Sequence, residues 1–166
     1  MASGQRGKIS NIMASLHWAI VCERAIVEDK ANTVSLISVL ENVTLPQPPT
    51  GAIPAGQRPF VPLRFYIVQQ WARSKPTIGE RVAGRILLLG PNGGQFGASE
   101  FAVDLTAAPR ARIISQAIGF PLLGSGTYAC VVQAQARAKW RKVGRVEFGV
   151  VFSDNNAPAV RSSRRH

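Results

Sequence analysis

Apolar residues along this chain fall into runs of strand length, rich in Val, Ile and Phe and separated by Gly, Pro and Asn. No stretch sustains the 3.6-residue period of a surface helix, so the pattern predicts extended segments throughout. A first run, from about Trp18 to Val27, and a second, from about Val34 to Leu45, flank the polar Glu28-Asp29-Lys30-Ala31-Asn32 and predict a hairpin. From Pro46 to Gln57 the prolines lack ladder donors and the glycines relax the backbone, which predicts a long loop crossing between sheets. Further strands are expected near Val61 to Gln70, Arg81 to Leu89, Glu100 to Leu105, Arg112 to Phe120, Gly126 to Ala134 and Gly144 to Phe152. Between Leu87 and Phe96, Asn92-Gly93 supplies the positive φ angles of a tight hairpin.

Seven to nine short strands with such punctuation predict an all-β domain: a two-sheet antiparallel β-sandwich of immunoglobulin-like or C2-like architecture. The 166 residues fit one domain. Its expected bounds are 17–153, preceded by a flexible segment over 1–16 and followed by a basic flexible tail over 154–166. Gly124-Ser125-Gly126-Thr127-Tyr128-Ala129-Cys130 looks like the tyrosine corner of immunoglobulin domains, in which Tyr ties down a strand entry. Cys22 is too far away in sequence to complete that pattern, so the segment points to architecture rather than family.

A wider resemblance rests on several blocks. They are Ala19 to Asp29 with Val34 to Val43, the strand Phe60-Val61-Pro62-Leu63-Arg64-Phe65-Tyr66, the spacer Gly79-Glu80 and the turn Gly90-Pro91-Asn92-Gly93. Phe120-Pro121-Leu122-Leu123 with Gly126-Thr127-Tyr128 completes the set. Over residues 18–152 the chain resembles an uncharacterised bacterial family of small β-sandwich proteins known as a domain of unknown function. The resemblance implies a sandwich and a bacterial cytoplasmic origin, and it transfers no catalytic residue.

Composition narrows the chemistry. Twenty Lys and Arg against nine Asp and Glu give a net charge of +11, an attractive field for phosphates, anionic lipid or acidic proteins. Cys22 and Cys130 are too few for a secreted disulfide framework and lack zinc-ligand spacing, which fits a reduced cytoplasm. No apolar stretch is long enough to span a bilayer. Arg6 and Lys8 before Ile12 to Cys22 imitate a signal peptide, but His17 and Trp18 interrupt the run and no small-residue cleavage site follows.

Nucleophile–histidine catalysis needs an oriented His, yet His17 lies in an apolar run and His166 at the terminus. Glu23, Glu41, Glu80, Glu100, Asp104 and Glu147 are scattered singly. The expectation is therefore no catalytic residue, no metal site and no cofactor. One cluster stands above background, Arg137, Lys139, Trp140, Arg141, Lys142 and Arg145, at the turn between the last two strands, with Arg164 and Arg165 in the tail. If the turn projects, the cations neutralise phosphates while Trp140 stacks on an unpaired base. If instead alternation puts the cations on the wet face, Trp140 is buried under the rim beneath their aliphatic stems. The leading expectation is a noncatalytic binding or accessory module for a protein or small ligand. Low-specificity binding of single-stranded nucleic acid or another polyanion comes second, and an enzyme of unrecognised type third.

Overall fold

The computed structural model describes residues 14–28, 32–46 and 59–153, and among these it forms nine strands and no helix. In chain order they are β1 (Ser15–Glu28), β2 (Thr33–Val39), β3 (Asn42–Pro46), β4 (Phe60–Ala72), β5 (Arg81–Leu89), β6 (Gln95–Asp104), β7 (Arg110–Pro121), β8 (Gly126–Ala136) and β9 (Lys139–Ser153). One sheet has the order β2-β1-β4-β7 and the other β3-β9-β8-β5-β6, the larger sheet curling into a half-barrel.

Period-two alternation builds the core between them. On β4, Phe65, Ile67, Gln69 and Trp71 point inward and are buried, whereas Arg64, Tyr66, Val68 and Gln70 point outward. Inward residues of the larger sheet include Ile86, Val103, Tyr128, Cys130, Val132, Phe148 and Val150. An aromatic cluster of Phe65, Phe120, Tyr128 and Phe148 joins the layers at one end, and Trp71 packs on Phe101 at the other. Gly84 makes room for that second pair, since a Cβ there would lie 2.3 Å from the Phe101 ring.

Two expectations need correction. The run Val34 to Leu45 is not one strand, because Ser38 takes φ 52° and the chain turns inward at the buried Leu40. After that step it has crossed to the other sheet, so β3 enters beside β9 in the same direction and the pair is parallel. The sheets are thus not wholly antiparallel. The Asn92-Gly93 turn is present in another form: Gly93 N–H donates to the Gly90 carbonyl, and only Gly93 is left-handed, at φ 76°. This is a type I turn closed by a glycine bulge, with Pro91 at its favoured second position and Asn92 accepting from Gly94 N–H. Residues 47–58, which hold most of the expected crossing loop, lie outside the described residues. Pro62 sits in a bulge between Val61 and Arg64, where β4 pairs with β7 alone and no second ladder needs its missing N–H.

The β1–β2 hairpin is an arm. β1 pairs with β4 only as far as Cys22, beyond which β1 and β2 pair with each other alone. Yet Arg112 on β7 donates to the carbonyls of Asn32 (3.1 Å) and Thr33 (3.5 Å) at the hairpin tip. A straight arm would carry that tip about 30 Å past the row of Trp18, Gln70 and Arg112, at roughly 3.3 Å per residue. The arm therefore bends back across the outer face of the smaller sheet. This accounts for the full burial of Val68 and Cys22, which point out of that sheet.

The β8–β9 turn consists of Arg137 and Ala138, both left-handed at φ 49° and 61°, the type I′ geometry that suits a two-residue hairpin. Alanine pays a steric penalty there that glycine avoids. Ala138→Gly is expected to raise stability by about 0.5–1 kcal/mol, read as a higher urea midpoint at unchanged slope.

Candidate functional site

Alternation along β9 sorts the basic cluster into two sets. Trp140 pairs with Gln135, Lys142 with Gln133 and Arg145 with Val131, all on the outer face of the larger sheet. Lys142 and Arg145 share that face despite an odd spacing because a bulge at Val143-Gly144 absorbs one residue. Gly144 is needed in it, since a Cβ would lie 2.5 Å from Leu16. Lys139 and Arg141 alternate to the other side at the exposed end of the strand, and Arg137 occupies the turn. Arg164 and Arg165 lie outside the described residues.

The structure adds a residue that sequence reasoning missed. Arg85 of β5 pairs with Gln133, so Glu100, Arg85, Gln133 and Lys142 form one row across four strands. Its guanidinium lies 4.4 Å from the centroid of Trp140, and its Nε donates to Gln133 Oε1 at 2.7 Å. The cation–π contact and the hydrogen bond together fix the guanidinium plane over the indole. Its two terminal nitrogens have no hydrogen bond or ion pair among the described residues. Trp140 thus matches neither expectation: it is half-buried on the sheet surface, capped by an arginine from two strands away. The signal for Arg85 was its outward position between Gly84 and Ile86, but the register that brings it to Trp140 needs three strands to be aligned.

Acids temper this surface. Glu147 Oε1 pairs with Arg145 Nε at 2.5 Å, and Asp104 pairs with Arg81 at 2.9 Å. The Asp104 carboxyl is held below its ordinary value by the Thr106 hydroxyl and N–H first, then by Arg81. Arg85 within the row and Lys142 at its end make no ion pair among the described residues.

The candidate nucleophiles do not converge. Cys22 is on the outer face of the smaller sheet and Cys130 on the inner face of the larger, both buried and unbridged, and His17 is exposed on β1. Among the described residues no three of His, Cys, Asp and Glu gather in one place. Burial pushes the Cys130 thiol up to about 12 and also raises Cys22, which keeps both as unreactive thiols. The folded protein holds the Cys130 proton to higher pH than the unfolded chain, whose thiol ionises near its ordinary value of 9.0. Stability from this thiol is therefore intact below about pH 9 and is lost as pH rises toward 12. Urea midpoints measured through that window should fall, and Cys130→Val should flatten the fall.

Elsewhere, buried polar groups serve the fold. Trp71 Nε1–H donates to Gln69 Oε1 inside the core at 3.1 Å. Arg73 donates to the carbonyls of Leu105, Thr106 and Pro76, which closes the β4–β5 connection against the end of β6. Glu80 accepts from Ser74 N–H in the same connection. No helix among the described residues is long and apolar enough to cross a membrane. No protein-family model matches the chain, and no curated protein matches it.

Proposed function

We propose that this chain is a noncatalytic binding module whose ligand is single-stranded nucleic acid, held on the outer face of the larger sheet. The observation that carries the reading is the Arg85 guanidinium stacked on Trp140 and locked by Gln133. A planar, cationic, preoriented group is a platform for an unpaired base, and arginine planes serve in that role as aromatic rings do. Lys142 and Arg145 flank it for the neighbouring phosphates, and the net charge of +11 draws a polyanion toward the surface. Glu100 closes the same row on β6 and Glu147 lies further along β9 beside Arg145, which favours a flexible strand threading between charges over a duplex. As scaffold, the two packed sheets are read as a sandwich of immunoglobulin-like or C2-like type, in keeping with the resemblance to the bacterial family, and a cytoplasmic setting fits the unbridged thiols.

Fluorescence anisotropy with a labelled oligothymidylate tests this reading. With Lys142 and Arg145 on phosphates, the logarithm of affinity should fall with the logarithm of salt at a slope of about −1.4. Lys142→Gln should reduce that slope by about 0.7. Trp140→Leu should weaken binding about tenfold or more, by releasing the guanidinium from its plane. Affinity indifferent to salt, or unchanged in Lys142→Gln and Trp140→Leu, overturns the proposal. A protein or small-molecule ligand, the other occupant of a noncatalytic module, would leave the oligonucleotide unbound.

A further inference from the structure

We propose that two copies of this chain pair edge to edge through β7, merging their smaller sheets into one continuous sheet of eight strands. Among the described residues four strands lie at sheet edges: β2, β7, β3 and β6. Three of them carry features that discourage pairing. β2 is seven residues long and interrupted by Ser38 at φ 52°, β3 is five residues ending in Pro46, and β6 presents Glu100 and Asp104. β7 runs for twelve residues and is broken only near its end, by Gly119 at φ 72° and the terminal Pro121; from Ile113 to Ile118 it is continuous and carries no charge. Among the described residues no strand pairs with its other side, which leaves a row of backbone donors and acceptors for a neighbour.

The inner face beside this edge is incomplete. Gly97 and Ser99 of β6 face Ser115 and Ala117 of β7, small residues where the layers need bulk, and a slot of about 200 Å³ opens there down to Ile67 and Ile86. A neighbouring strand added to β7 would bring a side chain to its mouth.

The sequence of β7 fits its own copy. In an antiparallel pair centred on Ile114, Ile114 meets the partner's Ile114, Arg112 meets the partner's Gln116, and Arg110 meets the partner's Ile118. On the inner face the same register sets Ile113 of the partner subunit beside Ser115, so each copy supplies the bulk that the other's slot lacks. The outward row Ile20, Val68 and Ile114 then runs on across the junction. The basic ends of the two strands are kept at opposite ends of the pair. Each contact is reciprocal about one twofold axis, so the assembly closes as a dimer. Because each copy carries +11, added salt should strengthen the pair, the reverse of its effect on nucleic-acid binding. The pairing uses the smaller sheet and the platform the larger, so either proposal can fail alone.

Sedimentation velocity on the full chain at low and high salt should show a monomer–dimer equilibrium that shifts toward dimer with salt. Ile114 is partly exposed, and Ile114→Lys sets like charges against each other at the axis, so its dimer dissociation constant should rise about tenfold or more while its circular dichroism is unchanged. Under mild oxidation Ile114→Cys should form a covalent dimer, because directly opposed residues lie within disulfide reach. Gln116→Cys should not, since each copy of that residue is displaced four positions from the other. A chain that stays monomeric and an Ile114→Cys variant that fails to cross-link overturn the proposal. So does a dimer that survives Ile114→Lys, or one that Gln116→Cys cross-links as well as Ile114→Cys.

Discussion

Phe120→Ala is expected to remove about 3–5 kcal/mol of folding stability, and with it about 10 °C of thermal midpoint. Phe120 is 1% exposed and belongs to β7, yet its ring lies 5.2 Å from Tyr128, 6.1 Å from Phe148 and 6.4 Å from Phe96, all in the other sheet. Its fourth neighbour, Phe65 at 6.3 Å, is in its own sheet. The ring therefore fastens the two layers where the β6 and β7 edges otherwise stand apart. Truncation leaves a void whose walls are themselves large rings, which collapse poorly, so the cavity cost adds to the lost transfer energy. Phe120→Leu, which refills much of the volume, should cost less than half as much. Urea or thermal unfolding of the two variants checks the order, and a loss under about 1 kcal/mol for the alanine variant would show that the cluster does not bridge the layers.

Much of this fold was legible in the chain because burial on one face of a strand imposes period two. The segments expected near Arg81 to Leu89 and Gly126 to Ala134 appear as β5 and β8 with little change, for their inward positions are Val, Ile, Leu, Tyr and Cys in alternation. Strand ends went further astray where polar residues continue a ladder. β6 begins at Gln95 rather than Glu100, and β9 begins at Lys139 rather than Gly144, since backbone pairing does not require apolar side chains. The break at Ser38 was hidden because nothing in Val34 to Leu45 signals a positive φ; the departure from the sheet is imposed by the pairing of β3 with β9, a contact over a hundred residues away in sequence.

The site was half legible for the same reason. A cluster of cations around Trp140 can be read along the chain, but which of them share a face depends on the bulge at Val143-Gly144, and that bulge answers to Leu16 on another strand. Arg85 could be placed on an outward face by alternation but not beside Trp140, because β8 intervenes and only the alignment of β5, β8 and β9 closes the distance. Sequence patterning reports which way a residue points. It does not report its neighbour across the sheet, and binding chemistry lives on neighbours.

Tyr128→Phe is the second large effect expected, a loss of about 1.5–3 kcal/mol for removing one oxygen atom. The Tyr128 hydroxyl accepts from the Leu123 N–H at 2.9 Å and donates to the Gly124 carbonyl at 3.1 Å. The ring stays stacked on Phe148 in the variant, so the apolar contribution is held constant and only the polar links are lost. Both backbone groups belong to the connection between β7 and β8, where Gly124 has a φ of 117° and no ladder is available to pair them before Gly126, at φ 134°, opens β8. The hydroxyl thus does here what the Gly-x-Tyr pattern anticipated, tying the entry of β8 to the residues just before it. Leaving that donor and acceptor unpaired costs more than an average hydrogen bond contributes, because the groups are partly buried and water reaches them poorly. Hydrogen exchange should localise the damage, with protection lost first at Leu123 and the start of β8 while the β4–β7 ladder keeps its own. A uniform loss across both sheets, or a change below about 0.5 kcal/mol, would mean that solvent already satisfies these groups and that the corner is held by the ring alone.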